Sequence, residues 1–297
     1  MLACNLAGPR RIKAGAARDH FLGVQAVTGR GDLIKSGGRV VKNVTGYDLC
    51  KLLAGSFGTL AVMTEVTFKV LPAPETLRTL LLRPKDRACG LAALRAAMAS
   101  ACDVAGAAFL PASAGSRSSV AEVASAGSDL ALIRIEGPEP SVRYRADALR
   151  QLLASHGSEI GEADDTRSAT LWREIRDVAL LPEPTPTLWR LSVPPGTGLG
   201  AVEALEPDLS FDWLADWAGG LIWLAAGEAG DGGAAAIRQA IAASGGHATL
   251  IRGPAGLRER IEVFQPQAPP LTRLSARVKE SFDPKRILNP GRMYREV

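Results

Sequence analysis

"GYDLCKLLAGSFGTLAVMTEVTFKV", residues 46–70, contains a helical pattern, a glycine-rich link and a strand pattern in that order. Thr45 can cap a helix that begins near Gly46, Asp48 can complete a capping box, and Gly55 can end the helix. From residue 60 onward, apolar and polar side chains alternate, which predicts a strand. One face of that strand would be formed by Leu60, Val62, Val66, Phe68 and Val70.

The link itself is Gly55-Ser56-Phe57-Gly58-Thr59. Glycines let the backbone approach a phosphate or another backbone closely, and Ser56 and Thr59 add hydroxyl groups. Two interpretations are open. The link is either an anion- or dinucleotide-binding loop, or a tight turn that follows the end of a helix.

Composition limits the class of protein. With 297 residues, 46% of them hydrophobic and 22% charged, the chain is long enough for two packed units and is globular rather than disordered. The formal net charge of +4 is spread along the chain and does not indicate a nucleic-acid surface. The four cysteines and three histidines are dispersed, so we expect no metal site and no disulfide framework. We also expect no signal peptide and no transmembrane segment, and therefore a cytoplasmic protein.

A domain boundary is predicted at Pro72-Ala73-Pro74-Glu75, after which strand and helix patterns alternate in an α+β or α/β unit. Strands are predicted at residues 77–83, 105–110, 130–136, 188–193, 220–225 and 248–252, and helices at 86–101, 141–156, 168–180 and 234–244. Residues 112–127, rich in small polar side chains, are predicted to form a mobile loop. Near the end, Leu271, Leu274, Val278 and Phe282 share one helical face.

A second glycine pattern competes with the first. Gly196, Gly198 and Ala201 match G-x-G-x-x-A, the fingerprint of a nicotinamide-binding turn between a strand and a helix. Pro194-Pro195 interrupts the passage from strand to glycine. There is no phosphate-binding loop of the G-x-x-x-x-G-K-[ST] type and no G-x-S-x-G elbow, so the usual nucleotide hydrolases and serine hydrolases lack support.

Several stretches together resemble one family. They are NLAGPRR (5–11), RDHFLGVQAVTGRGDLIKSGG (18–38), GRVVKNVTGYDLCKLLAGSFGTLAVMTEVTFKVLPAPE (38–75), GGHATLIR (245–252) and FDPKRILNPGRMY (282–294). In this order they resemble FAD-linked oxidases of the vanillyl-alcohol-oxidase type, with a PCMH-type FAD-binding domain. Within that family they are similar to the FAD-binding subunits of bacterial glycolate oxidase.

The resemblance implies an α+β fold with three segments. Residues 1–73 would be the second half of the FAD-binding domain, residues 74–265 a ferredoxin-like cap domain, and residues 266–297 a tail that returns to the FAD-binding domain. In the family, a first FAD subdomain with its own glycine-rich loop precedes the part seen here. We therefore expect an N-terminally truncated protein in which FAD affinity is weakened and apolar surface is exposed.

The resemblance also implies which residues lie along FAD. These are Gly8, Pro9, Arg18, Asp19, Gly46, Tyr47, Asp48, Gly55, Gly58, Thr59, Leu60, Asn289 and Arg292. The activity implied is oxidation of a small 2-hydroxy acid, glycolate to glyoxylate, with FAD as hydride acceptor. Electrons would pass to an iron–sulfur partner subunit, and a homologous FAD catalytic subunit would complete a complex in the cytoplasm or at the inner face of the membrane. For the substrate carboxylate the candidates are Arg173, Arg176, Arg190 and Arg252, and His247 is the candidate catalytic base.

Three alternatives remain open at the level of the sequence. The chain could be a non-catalytic accessory flavoprotein subunit, or a fragment unable to hold FAD. It could also be a nicotinamide-dependent dehydrogenase that uses residues 196–201.

Overall fold

The computed structural model of the 297-residue chain describes residues 1–41, 46–227, 230–295 and 297. The strands are β1 Phe21–Thr28, β2 Leu33–Gly37, β3 Ala61–Phe68, β4 Thr76–Pro84, β5 Gly106–Leu110, β6 Leu130–Gly137, β7 Gly157–Ala163, β8 Thr187–Ser192, β9 Phe211–Asp216, β10 Leu221–Ala226 and β11 His247–Arg252. The α-helices are α1 Arg11–Ala14, α2 Leu49–Leu53, α3 Arg87–Ala99, α4 Ala112–Gly115, α5 Ala121–Ala124, α6 Glu139–Leu153, α7 Asp165–Asp177, α8 Gly198–Leu205, α9 Ala234–Ala242, α10 Ala255–Arg260 and α11 Pro269–Phe282.

The chain divides by its contacts into two compact units. Unit 1 comprises residues 1–8, 14–72 and 266–297, and unit 2 comprises residues 9–13 and 73–265. No helix in the described ranges is both long enough and apolar enough to cross a membrane.

Unit 1 contains a three-stranded antiparallel sheet in the order β2-β1-β3. Phe21 and Phe68 stack at the start of β1 with their ring centroids 6.0 Å apart. Leu53 of α2 packs into the same apolar core, and Val278 and Phe282 of α11 cover it. The predicted helical face of the C-terminal segment therefore packs against the sheet through these two residues.

The predicted strand after the link is confirmed, but its predicted single apolar face is wrong. A shift in register between Gln25 and Ala26 of β1 interrupts the alternation in β3. Val62 is 54% exposed and Val66 is 40% exposed, although both were expected on the same face as the core residue Leu60. The bulge places Val62, which precedes it opposite Val27, and Val66, which follows it opposite Val24, on opposite faces, so the five residues cannot share one face.

The helix before the link begins later than predicted. Asp48 is its N-cap, and the Asp48 carboxylate accepts a hydrogen bond of 3.1 Å from the backbone amide of Lys51. The helix is only five residues long, from Leu49 to Leu53. Thr45, the predicted cap, lies outside the described residues.

Unit 2 contains an eight-stranded sheet in the order β11-β8-β10-β9-β5-β6-β4-β7. Each half of this sheet follows the sequence strand-helix-strand-strand-helix-strand with its first strand between its third and fourth. This is the arrangement of a ferredoxin-like unit. The two halves join where β5 pairs with β9, with Phe109 opposite Ala215.

Helices cover both faces of this sheet. The first face carries the larger core, to which α3, α6, α8 and α9 contribute apolar side chains. The second face is covered by α4, α5 and α7, with Trp172 of α7 buried beneath them. The part of the second face that carries Arg190, Ser192 and His247 lies outside this second core.

The predicted α+β class is confirmed, whereas the α/β alternative is wrong because all strand pairs among the described residues are antiparallel. Two strands, β7 and β9, were not predicted from the sequence. The predicted loop at residues 112–127 is also wrong, because it contains α4 and α5 and buries Ala114, Val120 and Val123. Small side chains there allow close packing rather than disorder.

Candidate functional site

The glycine-rich link of unit 1 turns sharply between α2 and β3. Gly55, Phe57 and Gly58 have φ values of +86°, +54° and +74°. Its amides form hydrogen bonds from Gly55 N to Leu2 O (3.2 Å), from Ser56 N to Leu53 O (3.2 Å), from Phe57 N to Ala3 O (2.7 Å) and from Thr59 N to Ser56 O (3.0 Å). These bonds hold the link to the N-terminal segment and to itself.

Gly58 is the exception in the link. Among the described residues its amide has no hydrogen-bond acceptor, whereas the amide and the hydroxyl of Thr59 both donate to the carbonyl of Ser56. Leu60, which follows, is buried in the core of unit 1. The turn interpretation therefore describes most of this link, and Gly58 is its one residue with an amide open to a ligand.

The C-terminal tail fixes the far end of the link through Lys279. This side chain is 0% exposed, and its ammonium group donates to the carbonyl oxygens of Thr59 and Leu288 and to the carboxylate of Asp283, each at 2.7 Å. Asp283 is also 0% exposed and accepts hydrogen bonds from the amides of Ile287 (3.1 Å) and Leu288 (2.8 Å). Burial acts to raise the pKa of Asp283, but these hydrogen bonds and the charge of Lys279 outweigh it and hold the pKa below its usual value.

Asn289 places its side-chain amide on the link. Its Nδ2 donates to the carbonyl oxygens of Phe57 (3.3 Å) and Gly58 (3.1 Å). A Cβ atom at Gly58 would lie 2.7 Å from this nitrogen, so the contact requires glycine. Arg292 is exposed, and its backbone amide donates to the carbonyl of Asn289 at 3.1 Å.

Four of the predicted cofactor residues, Asp19, Gly46, Tyr47 and Asp48, line one cleft of about 260 Å³ in unit 1. Tyr47 is 91% exposed there, and, chain neighbours aside, no atom of the described residues lies within 4 Å of the position that a Cβ of Gly46 would take. Lys51 and Lys69 line the same cleft, together with Phe21, Leu22, Ser36, Gly37, Val40 and Val41. Lys51 reaches the carbonyl oxygens of residues 18 (2.5 Å) and 21 (3.2 Å), which fixes this side of the cleft.

The remaining predicted residues lie on the N-terminal segment. The amide of Arg18 donates to the side chain of Asn5 at 2.9 Å, and its guanidinium is exposed. Gly8 is half-buried and Pro9 is buried. The predicted residues thus fall into the cleft, the link with Asn289, and this segment, and their roles toward FAD stay predictions.

In unit 2, His247 and Arg190 lie on one face of the sheet. His247 begins β11 opposite Ser192 of β8, and Arg190 of β8 lies opposite Thr249 of β11. Partial loss of solvent, followed by the positive charges of Arg190 and Arg11, lowers the pKa of His247. The imidazole is therefore biased toward its neutral form, as a proton acceptor requires.

The other candidate arginines do not join this group. Arg176 forms two hydrogen bonds of 2.7 Å with its neighbour Asp177. Arg252 pairs with Glu183 at 2.8 Å, with both side chains exposed, and Arg173 is exposed on α7. Of the four candidates for a substrate carboxylate, only Arg190 is near His247.

Two residues of this region were missed in the sequence. Arg11 lies with its Cζ 4.5 Å from the centroid of the Trp217 ring. Asp216 is 2% exposed and accepts a hydrogen bond of 2.7 Å from the amide of Trp217, and burial raises its pKa to about 7. An acidic residue in the apolar run WLADWAGG (213–220) was the available signal for Asp216.

The G-x-G-x-x-A pattern does not form a nicotinamide-binding turn. Its preceding strand, β8, pairs antiparallel with both β10 and β11, whereas the fingerprint belongs to a parallel strand-helix-strand unit. A Cβ at Gly198 would lie 2.2 Å from the carbonyl oxygen of Gly219, so this glycine serves close packing of α8. Among the described residues no group of three or more His, Cys, Asp or Glu side chains could hold a metal ion.

Comparison with known proteins identifies the family. The chain is 36% identical over 306 residues to the glycolate oxidase subunit GlcE of Escherichia coli. This alignment covers 100% of the present chain and 71% of GlcE. It is 52% identical over 68 residues to an uncharacterized FAD-linked oxidoreductase of Mycobacterium tuberculosis, covering 23% of this chain and 15% of that protein. No protein-family model matches the chain.

A solved structure of alkyldihydroxyacetonephosphate synthase has the same fold, with a TM-score of 0.61 and 17% sequence identity. The match covers 97% of this chain and 57% of that chain, so the present sequence spans little more than half of that structure. On the GlcE match, the chain belongs to the family of FAD-linked oxidases that includes the glycolate oxidase subunit GlcE.

The described residues fit a flavin dinucleotide in part. Gly58 offers one amide without an acceptor, and the open face of Gly46 lets a ligand approach the backbone in the cleft. The other amides of the link bind carbonyl groups of unit 1. An FAD diphosphate would therefore obtain few main-chain hydrogen bonds from this link.

Proposed function

We propose that this chain is an FAD-binding subunit of a complex that oxidises glycolate or a closely related 2-hydroxy acid. The observation that carries the proposal is the similarity to GlcE along the whole of the present chain. The fold of both units, the open face of Gly46 and the Gly58 amide, which has no acceptor among the described residues, are consistent with it.

In this proposal unit 1 holds FAD. Asp19, Gly46, Tyr47 and Asp48 contact it from the cleft, and Gly58 contacts it through its free amide. Gly55, Thr59, Leu60 and Asn289 shape the link, and Gly8, Arg18 and Arg292 are peripheral contacts. Pro9, which belongs to unit 2, is proposed as a contact only from the family resemblance. FAD supplies the redox chemistry as acceptor of a hydride equivalent.

His247 of unit 2 is the proposed base that accepts the proton of the substrate hydroxyl. Its lowered pKa keeps the imidazole neutral at physiological pH, which supports this role. Electrons would leave through an iron–sulfur partner subunit, because the four cysteines of this chain are dispersed along the sequence. A homologous FAD subunit is the other proposed partner.

The test uses the full chain, purified alone and after co-expression with the iron–sulfur and homologous FAD subunits. FAD is added in excess and unbound FAD is removed by desalting. We expect flavin absorbance to remain with the protein, and we expect NADH to show no binding under the same conditions. A preparation that stays colourless in both forms contradicts the proposal.

A second measurement separates a catalytic subunit from an accessory one. Glycolate-dependent dye reduction is compared between the wild-type complex and a complex in which this chain carries His247→Gln. Loss of activity with retained flavin supports turnover at this subunit. Full activity of the variant complex instead identifies this chain as an accessory subunit.

A further inference from the structure

Two arginines from distant parts of the sequence lie against one aromatic ring in unit 2. Arg11 of α1 and Arg190 of β8 place their Cζ atoms 4.5 Å and 5.2 Å from the centroid of the Trp217 ring. An aromatic face attracts a guanidinium, but two like charges around a single ring repel each other. The arrangement therefore concentrates positive charge at one place.

These two arginines differ from the neighbouring basic residues. Arg10 pairs with Glu136 at 2.6 Å, Arg134 pairs with the same carboxylate at 3.1 Å, and Lys13 pairs with Asp103. In contrast, the guanidinium groups of Arg11 and Arg190 form no ion pair and no hydrogen bond with any residue in the described part of the chain. Arg190 is half-buried, and a half-buried guanidinium without a carboxylate is costly unless an anion reaches it, whereas Arg11 is exposed.

The surroundings suit a small ligand that carries both a carboxylate and a hydroxyl group. Ser192 and His247 lie opposite each other on neighbouring strands, and Thr249 lies opposite Arg190. The strand register places all four side chains on the same face of the sheet. Two cationic donors, a planar apolar wall and a neutral imidazole are thus grouped at one end of this face.

We propose that Arg11 and Arg190 together bind the carboxylate of a small 2-hydroxy acid against the ring of Trp217, with His247 facing the hydroxyl group. The 2-hydroxy acid as ligand rests on the proposed function. The binding of a carboxylate by this cluster depends only on residues of unit 2. Guanidinium donors are well matched to a carboxylate because they can bind both oxygens.

The experiment titrates the full chain, without added FAD, with glycolate and with acetate in low-salt buffer, followed by ligand-observed NMR. Arg190→Gln and Arg11→Gln should each weaken glycolate binding by about tenfold or more. Arg143→Gln, which removes an exposed charge of the same unit on α6, should leave it unchanged. His247→Ala should reduce the preference for glycolate over acetate while leaving acetate binding unchanged, which a purely structural role would not do.

Two outcomes overturn the inference: no glycolate binding by the wild-type chain, or equal binding by the wild type and both arginine variants. If Arg190→Gln fails to fold, Arg11→Gln decides, because Arg11 is exposed. The result also separates this inference from the proposed function. If the chain binds glycolate but never FAD, the carboxylate site is retained and the flavoprotein proposal is refuted. If the chain binds FAD but not glycolate, the flavoprotein proposal is retained and the carboxylate site is refuted.

Discussion

The ammonium nitrogen of Lys279 lies 2.7 Å from the carbonyl oxygen of Thr59, a residue 220 positions earlier in the sequence. The ammonium group also donates to the carboxylate of Asp283 and to the carbonyl oxygen of Leu288, so all three of its N–H donors are used. A buried charge is tolerated only when it is paired and fully hydrogen-bonded. Lys279 therefore joins the last helix to the glycine-rich link of unit 1.

Replacing Lys279 by Met should lower the free energy of unfolding of unit 1 by about 3–5 kcal/mol, because it leaves the carboxylate of Asp283 buried without its cation. All five tryptophans lie in unit 2. Far-UV circular dichroism should therefore show an earlier urea transition, while the tryptophan fluorescence transition stays in place. Lys285→Met, at an exposed position of the same tail, should change neither. A fluorescence transition that shifts with Lys279→Met would contradict the prediction that the Lys279–Asp283 pair stabilises unit 1 alone.

Asp283 should make unit 1 sensitive to acid. Its folded-state pKa lies below its usual value, so its contribution is complete above the unfolded-state pKa of about 3.9 and is lost as the pH falls through the folded value. In Asp283→Asn, this acid-dependent loss should disappear, although the variant is less stable at neutral pH. Urea unfolding, followed by circular dichroism at a series of pH values from about 2 to about 7, checks this. An unchanged pH slope in the variant would be the contrary result.

Asp216 should have the opposite effect in unit 2. Its pKa is raised to about 7 by burial, so the stability associated with the protonated carboxyl group is complete below about pH 3.9 and is lost as the pH rises to about 7. Asp216→Asn keeps an oxygen acceptor for the amide of Trp217 and should remove a pH-dependent loss of about 4 kcal/mol. Tryptophan fluorescence is the probe, and Asp208→Asn, at an exposed position, is the control. Equal pH slopes for wild type and Asp216→Asn would exclude this explanation.

The sequence predicted local features better than contacts between distant residues. Strand β3 and the glycine turn before it were found because alternation and glycine punctuation act within a few residues. The helix start was misplaced since Asp48, Thr45 and Gly46 were all acceptable at a first turn, and only the hydrogen bond to Lys51 decides between them. The bulge in β3 left no signal in the alternation of its side chains.

The candidate sites show the same division. His247 and Arg190 were considered individually because each residue type suits the chemistry, but the sequence could not show that they share a sheet face. Arg11 is separated from Arg190 by most of the chain, and its position over Trp217 depends on the fold of unit 2. The sequence also could not show which backbone amides of the link are already hydrogen-bonded, because the acceptors of two of them, at Leu2 and Ala3, lie in another segment.

Gly58 provides the last test, because it combines a strained backbone with a close contact. Gly58→Ala should destabilise unit 1 by about 1–3 kcal/mol and should weaken FAD binding by the proposed subunit, since a Cβ would displace Asn289 from the link. Gly46→Ala is the matched variant: its φ is also +74°, but among the residues that the structure describes no atom beyond its chain neighbours lies within 4 Å of the added Cβ. The difference between the two variants in urea unfolding measures the contact with Asn289 apart from the cost of positive φ. In an Asn289→Ala background, that difference should become small; if it persists, the Cβ clash at Gly58 does not involve the Asn289 side chain.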